Sequence, residues 1–394
     1  MTALKSRILA RALLAGGLML GLPAVATQVH AQAGVPTSGA TSDRDHMSYG
    51  AEADRVTDEI KSYNTFANVG EKYVEMSADD EVARMGAGVN TVAGWDGYWS
   101  GGATKFKLSQ FRKIKDAGFS TVRIPISTFG RNSLHIDAQG HLDPKFLNKL
   151  DAVVEAALSA KLFVIIDEHD YDECSKDADA CAQILPNVWY ELSEHYKNAP
   201  ASVMFELLNE PHDKVDAAIW NAWIPDLVAI VRQTNPTRNI VIGPTHWNSL
   251  ADLPLLQLPA ADKHIIVTFH YYEPMPFTHQ GATWVGPEIE KERGEVHWKG
   301  TPEELAKINT DFDKVAAWAK ANNRPIFLGE YGAYAKYSAP GERVAWTNAV
   351  TKAAAERGFA RAAWYFLDGP DGFSFYNPDT NQFIDPMKDA LLAK

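Results

Sequence analysis

Short apolar runs recur along this chain, at residues 85–89, 121–126, 162–166, 203–208, 240–242, 265–269, 326–328 and 362–366. They are too short for helices and fit buried strands. Most are separated by stretches with helical periodicity, including 108–117, 145–160, 217–234, 303–321 and 343–357. Strand and helix alternating at about 35–40 residues per unit predict parallel strands joined by helical crossovers. Eight such strands suggest closure, so the expected fold class is α/β, a (β/α)8 TIM barrel. The alternative is an open doubly wound sheet, which a Gly-x-Gly-x-x-Gly turn after the first strand would favour. Met85-Gly86-Ala87-Gly88-Val89-Asn90 fails that pattern. One connection departs from the regular spacing: about thirty residues follow Phe269 before the helix near Glu303, carrying Tyr271, Tyr272, Phe277, His279, Trp284 and Trp298. That composition is wrong for disorder and suits a functional loop.

The N-terminus changes the picture. Lys5, Arg7 and Arg11 precede an apolar stretch at about 12–26, and Ala31-Gln32-Ala33 supplies a small-residue cleavage site. Residues 1–33 read as a secretory signal peptide cleaved near Ala33; an uncleaved anchor is the alternative. The expected location is secreted or periplasmic, with no stable membrane association after cleavage. Residues 34–78 read as a linker or N-terminal arm, and 79–394 as the barrel, one unit of ordinary size for this architecture. Losing three basic residues takes the formal net charge from −12 to −15. Such a surface repels nucleic acid and anionic lipid and suits a neutral partner and a monomeric, soluble life. Cys174 and Cys181, in an exported chain, are expected to form a local disulfide. A metal is the alternative reading of the pair, but no neighbouring Cys or His pair completes a zinc set.

In a barrel of this kind, catalytic side chains project from the C-terminal ends of strands. The run from Val203 ends on Asn209-Glu210-Pro211, and that from Ile326 on Gly329-Glu330-Tyr331. Two strand-end glutamates are the minimal machinery of glycoside hydrolysis, one giving a proton to the leaving oxygen while the other attacks or activates water. Polar residues gather at other strand ends: Arg123 in the second, His169 after Asp167 and Glu168 in the third, His270 and Tyr272 on one face of the sixth, and Trp364 in the eighth. A buried Arg123 needs a negative partner, from the strand-end glutamates or Glu206. Alternation puts Glu206, Leu208 and Glu210 on one face and Asn209 on the other, which predicts a bulge or twist at the end of the fourth strand.

From about Ala83 onward, three quarters of the chain resembles glycoside hydrolase family 5, cellulase-type enzymes of the retaining (β/α)8-barrel clan. The match is spread in order over Arg123 in Val122-Arg123-Ile124-Pro125, His169, Asn209-Glu210-Pro211, His270-Tyr271-Tyr272, Gly329-Glu330-Tyr331-Gly332 and Trp364. The resemblance implies Glu210 as acid/base, Glu330 as nucleophile and Asn209 on the sugar 2-hydroxyl. It also implies that His270 and Tyr272 orient the site, Arg123 and His169 support it, and Trp364 lies under the sugar at the point of cleavage. One departure is Asn90-Thr91-Val92-Ala93, where many members carry Gly-Asn shortly after the first-strand Asn; it bears on the preferred polysaccharide.

The reading is a secreted, retaining endo-β-1,4-glucanase that needs no cofactor or metal and takes β-glucan as its partner. Trp95, Trp99, Trp247, Trp284 and Trp298 fall in expected loops and are candidates to line the cleft. Trp189, Trp220, Trp223, Trp318 and Trp346 fall in helical segments and are expected to pack inward. The rivals are a β-mannanase or other β-glucanase on the same scaffold, a non-catalytic carbohydrate-binding barrel, and a metal-dependent hydrolase using Asp167, Glu168, His169 and Asp170. The last lacks a first-strand His-x-His pair.

Overall fold

A computed structural model describes residues 72–92, 97–100, 104–130, 135–137, 140–367 and 371–394. The expected signal peptide, most of the arm and Trp95 lie outside these residues. Eight parallel strands form a closed barrel in sequence order: β1 Ala87–Asn90, β2 Thr121–Ile126, β3 Phe163–Glu168, β4 Val203–Glu206, β5 Ile240–Ile242, β6 Ile265–Tyr271, β7 Ile326–Tyr331 and β8 Ala360–Ala363. β8 closes on β1 through Arg361 opposite Ala87 and Ala363 opposite Val89. The main outer helices are Gln110–Asp116, Pro144–Ser159, Ala178–His195, Ala217–Arg232, Pro302–Asn322 and Pro340–Glu356.

Three expected strands shift, each for a physical reason. Met85 is no strand residue: it ends the helix Ala78–Met85, whose first turn is capped by Ser77. Ala78, Val82 and Met85 instead plug the bottom of the barrel against Ile165, Met204, Val241, Ile266 and Phe327. β8 begins earlier than its apolar run, because Arg361 sits in the ladder with its guanidinium reaching the Ala393 carbonyl. β4 pairs only to Glu206, not to Pro211: the Leu207 carbonyl accepts from the Trp189 indole at 2.8 Å, a helix side chain standing where a strand neighbour would be.

Alternation sorts the strand residues into two environments. Outward residues such as Val164, Ile166, Phe205 and Leu328 pack against the helices, while inward ones build the barrel interior in layers. Its lower half is apolar. Above that, the inward positions turn polar.

Candidate active site

The polar layer is organised by Arg123, which is fully buried in β2. A guanidinium has five N–H donors in a fixed fork, and here each one has a partner. Nε and Nη2 grip the two oxygens of Glu206 at 2.7 and 2.9 Å. Nη1 donates to Glu330 at 2.8 Å and to Asn90 at 2.9 Å, and Nη2 reaches Asn209 at 2.7 Å. Asp167 lies 3.0 Å from Nη2 and holds His169 Nδ1 at 2.6 Å. The expected partners, Glu206 and a strand-end glutamate, are thus both used.

Of the expected bulge or twist at the end of β4, the structure shows no bulge but a turned backbone. Beyond Glu206 the chain leaves regular pairing, and Glu210 adopts φ +40°, a left-handed conformation that turns its carboxyl into the mouth. The register shift lies instead in the β6–β7 pairing, where His270 pairs with Glu330 and Gly329 is skipped. Only glycine fits there, since a Cβ on residue 329 would lie 2.9 Å from His270 Nε2 and 2.5 Å from Thr268 Oγ1. The missing side chain lets the imidazole lie against β7 and puts Glu330 inward.

An oxygen of Glu210, an oxygen of Glu330 and a ring nitrogen of His270 all lie within 4.8 Å of one another. His270 Nδ1 is 2.6 Å from Glu210 and 3.6 Å from Glu330. The Tyr272 hydroxyl donates to Glu330 at 2.9 Å. Burial pushes the Glu210 carboxyl up to about 8, against the pull of Arg123. Glu330 is raised by burial too, opposed chiefly by His270 and Arg123. Burial lowers His270 to about 4 and His169 to about 3, so both imidazoles are neutral near pH 7. Two carboxyls this close, with two donors on Glu330, leave a proton on one of them at neutral pH, and Glu210 is the better holder.

Around this centre stand aromatic rings. Trp364 follows β8, is joined to Tyr365 by a cis peptide bond, and stacks on the His169 ring at 5.7 Å with 4° between planes. Trp247 and Trp284 are 44% and 60% exposed, as a cleft role requires. Trp99 and Trp298 are not cleft residues: at 0% and 2% exposure they are packed in the core, Trp99 with its indole on the Val92 carbonyl. A loop position says nothing about which way a ring turns. Of the helix tryptophans, Trp189, Trp220, Trp223 and Trp346 are fully buried and Trp318 partly so.

The sequence reading passed over Asn90, which anchors Arg123 and donates to the Gly329 and Ala362 carbonyls. It also passed over Asn248, 3.3 Å from His270 Nε2. Asn90 had a signal in the polar end of the first strand; Asn248, inside a loop, had none. Among the described residues, Glu210, His270 and Glu330 are the group whose ligand atoms cluster tightly enough for a cation. The proton on Glu210 and the Arg123 charge beside Glu330 oppose one. The arrangement suits proton transfer and carboxylate attack at one atom.

Residues 79–368 match the cellulase family, glycosyl hydrolase family 5. Endoglucanase H of Acetivibrio thermocellus is 32% identical over 317 residues; the match takes in 79% of this chain, which spans 33% of that protein's length. Cellodextrinase A of Ruminococcus flavefaciens is 28% identical, over 65% of this chain and 76% of its own. Among solved structures, a hyperthermophilic endo-β-1,4-glucanase in complex with substrate is 37% identical with a TM-score of 0.74, covering 81% of this chain and 100% of that one. An endoglucanase of Thermotoga maritima, solved with mannotriose and with cellobiose, is 31% identical at a TM-score of 0.73, covering 80% of this chain and 99% of its own.

Proposed function

The chain belongs to glycosyl hydrolase family 5, and we propose that it is an exported endo-β-1,4-glucanase acting by double displacement, with Glu330 as nucleophile and Glu210 as acid/base. The observation that carries the reading is the approach of the two carboxyl groups, an oxygen of each within 4.8 Å. Retaining glycosidases hold the pair about 5–5.5 Å apart, whereas inverting ones need about 6.5–9.5 Å to seat a water between carboxylate and sugar.

In the first step a Glu330 oxygen attacks the anomeric carbon as the glycosidic bond breaks, and Glu210 gives its proton to the departing oxygen. In the second, Glu210 takes a proton from water, the water oxygen bonds to the anomeric carbon, and Glu330 leaves as carboxylate. Donors from Arg123 and Tyr272 favour the ionised form of Glu330 before attack and after release. Asn209, held by Arg123, is assigned to the sugar 2-hydroxyl, and Trp364 on His169 to the platform beneath the ring. Linkage specificity rests on the endoglucanase relatives. A β-mannanase is the rival, favoured by the mannotriose complex of the T. maritima enzyme.

The test has two parts. Glu330→Ala is expected to abolish turnover of every natural substrate. Glu210→Ala is expected to cripple polysaccharide cleavage while sparing the first step on aryl glycosides, and azide then yields a β-glycosyl azide. Inverted product from the wild type refutes double displacement; a β-azide from the Glu330 variant exchanges the roles. Product sizing on soluble cellulose, mannan, xyloglucan and mixed-linkage glucan identifies the polymer and tests endo action.

A further inference from the structure

We propose that Asn248 is a positioning residue for the acid/base step, presenting either its amide nitrogen or its amide oxygen to His270 Nε2 and so following the imidazole tautomer as Glu210 alternates between acid and base. The proposal rests on the roles given above to Glu210 and Glu330.

Three observations converge on this side chain. Asn248 is fully buried, with Nδ2 3.3 Å from His270 Nε2, while the other ring nitrogen is 2.6 Å from Glu210. The imidazole therefore links Asn248 to the acid/base carboxyl. Second, the turn that delivers Asn248 is strained: His246, Trp247 and Asn248 have φ of 59°, 57° and 53°, three consecutive non-glycine residues in the left-handed region. Such conformations persist only where the surroundings over-determine them, and they gather at functional sites. Third, Gly243 at the end of β5 leaves the room: a Cβ there would meet Asn248 Oδ1 at 2.2 Å. Ser249, next in the chain, bridges to His270 in parallel and fixes the register of the turn against β6.

The amide chemistry supplies the function. With Nδ2 toward Nε2, the ring carries its proton on Nδ1 and donates to Glu210, which suits the carboxylate that must act as base. Asn248 Oδ1 is then buried with no hydrogen-bond partner among the described residues. A half-turn of the amide brings Oδ1 to Nε2–H and frees Nδ1 to accept the proton of the neutral Glu210, which suits the acid. Asparagine offers both a donor and an acceptor at one position, so it satisfies the histidine in either half of the cycle. The titratable and charged groups facing His270 are Glu210 and Glu206 from the β4 end, Glu330 from β7, Arg123 from β2, His169 from β3 and Tyr272 beyond β6. Asn248 adds no charge to this set, and it is the partner placed at Nε2.

Two variants test the idea through opposite shifts. Asn248→Leu keeps the branched shape of the side chain but removes the acceptor. An unsatisfied buried N–H is the rarer and costlier state, so the ring proton stays on Nδ1 and the neutral Glu210 loses its acceptor. The basic limb of kcat/KM on soluble β-glucan is expected to move down by about one pH unit, with kcat/KM falling about twofold at pH 7 and approaching a tenfold loss above about pH 9. The first-step burst on an aryl cellobioside whose leaving group needs no proton is expected to stay near the wild-type rate. Asn248→Asp keeps an acceptor and adds negative charge, so its limb stays or moves up. A Leu variant with the wild-type limb, or an Asp variant with a lowered one, overturns the proposal. If the Leu variant does not fold, the direction in the Asp variant decides alone. Failure of the underlying reading shows separately, as inverted product or an active Glu330→Ala enzyme.

Discussion

Replacing Arg123 with methionine removes one charge from beneath the site and strands the carboxylates that it holds. Glu206 suffers most, since both its oxygens are gripped by the fork and it is fully buried. Removing one partner of a buried ion pair costs about 3–5 kcal/mol. The stranded Glu206 can escape by binding a proton, and the cost of that escape depends on pH. With an unfolded pKa near 4.3 and about 1.36 kcal/mol per pH unit, protonation costs roughly 1 kcal/mol at pH 5 and roughly 5 kcal/mol at pH 8. The carboxyl, already raised by burial in the wild type, rises further without its cation. The folded variant thus binds more protons than the unfolded chain between about pH 4 and its own folded pKa, and its stability falls as pH rises through that window. Expected is a deficit relative to wild type of about 1–2 kcal/mol at pH 5, widening to about 3–5 kcal/mol at pH 8 by urea unfolding. A deficit equal at both pH values, or one below about 1 kcal/mol at pH 8, would refute the assignment of Arg123 as counter-charge to Glu206.

Three further outcomes are expected. The basic limb of the wild-type kcat/KM profile should lie near pH 8, because Glu210 is pushed up to about 8 and the acid is lost as pH rises through that value; a limb unchanged in Glu210→Gln would place it on another group. Trp298→Ala should cost about 3–5 kcal/mol in unfolding free energy, since the ring is fully packed, while Trp284→Ala should leave stability nearly unchanged and weaken polysaccharide turnover, since 60% of it faces solvent. The bond between Cys174 and Cys181, seven residues apart, joins the short helix Tyr171–Lys176 to the start of Ala178–His195; the double Cys→Ser variant should lose about 2 kcal/mol in denaturant unfolding, and an unchanged midpoint would count against a staple.

The barrel was legible because buried parallel strands read as apolar runs and their crossovers carry helical period. The misplaced ends trace to particular side chains. Arg361 breaks the apolar pattern inside β8, yet its long stem lets the charge leave the ladder. Trp189, eighteen residues before Leu207 in sequence, takes a carbonyl that the strand pattern assigns to β5. Gly329 reads in sequence as a flexible position before Glu330, but its use is to admit the His270 ring. The apolar runs located the strand ends, although alternation alone put Asn209 on the wrong face. The orientation of loop rings could not be read this way, which is why Trp99 and Trp298, expected in the cleft, pack in the core, while Trp247 and Trp284 are exposed.

The contacts around Arg123 were legible only in part, since Glu206 and a strand-end glutamate could be named but Asn90, Asp167 and Asn209 could not, and the barrel geometry says why. Its partners lie 33, 83, 86 and 207 residues away along the chain, on β1, on and just beyond β4, and on β7. Alternation tells which side chains point inward, but the tilt and stagger of the closed sheet decide which of them share a level. At this level one guanidinium faces Asp167, Glu206 and Glu330, and the histidines beside it are held neutral by burial. One cation cannot compensate three carboxylates in a site so deeply buried, so protons must remain on part of the set. The consequence reaches the mouth of the barrel: burial, helped by the carboxylates that outnumber the one cation below, keeps a proton on Glu210 above, while the donors on Glu330 favour its ionised form. On the proposed roles, burial and the charge balance of this layer together, rather than either glutamate by itself, separate the acid from the nucleophile.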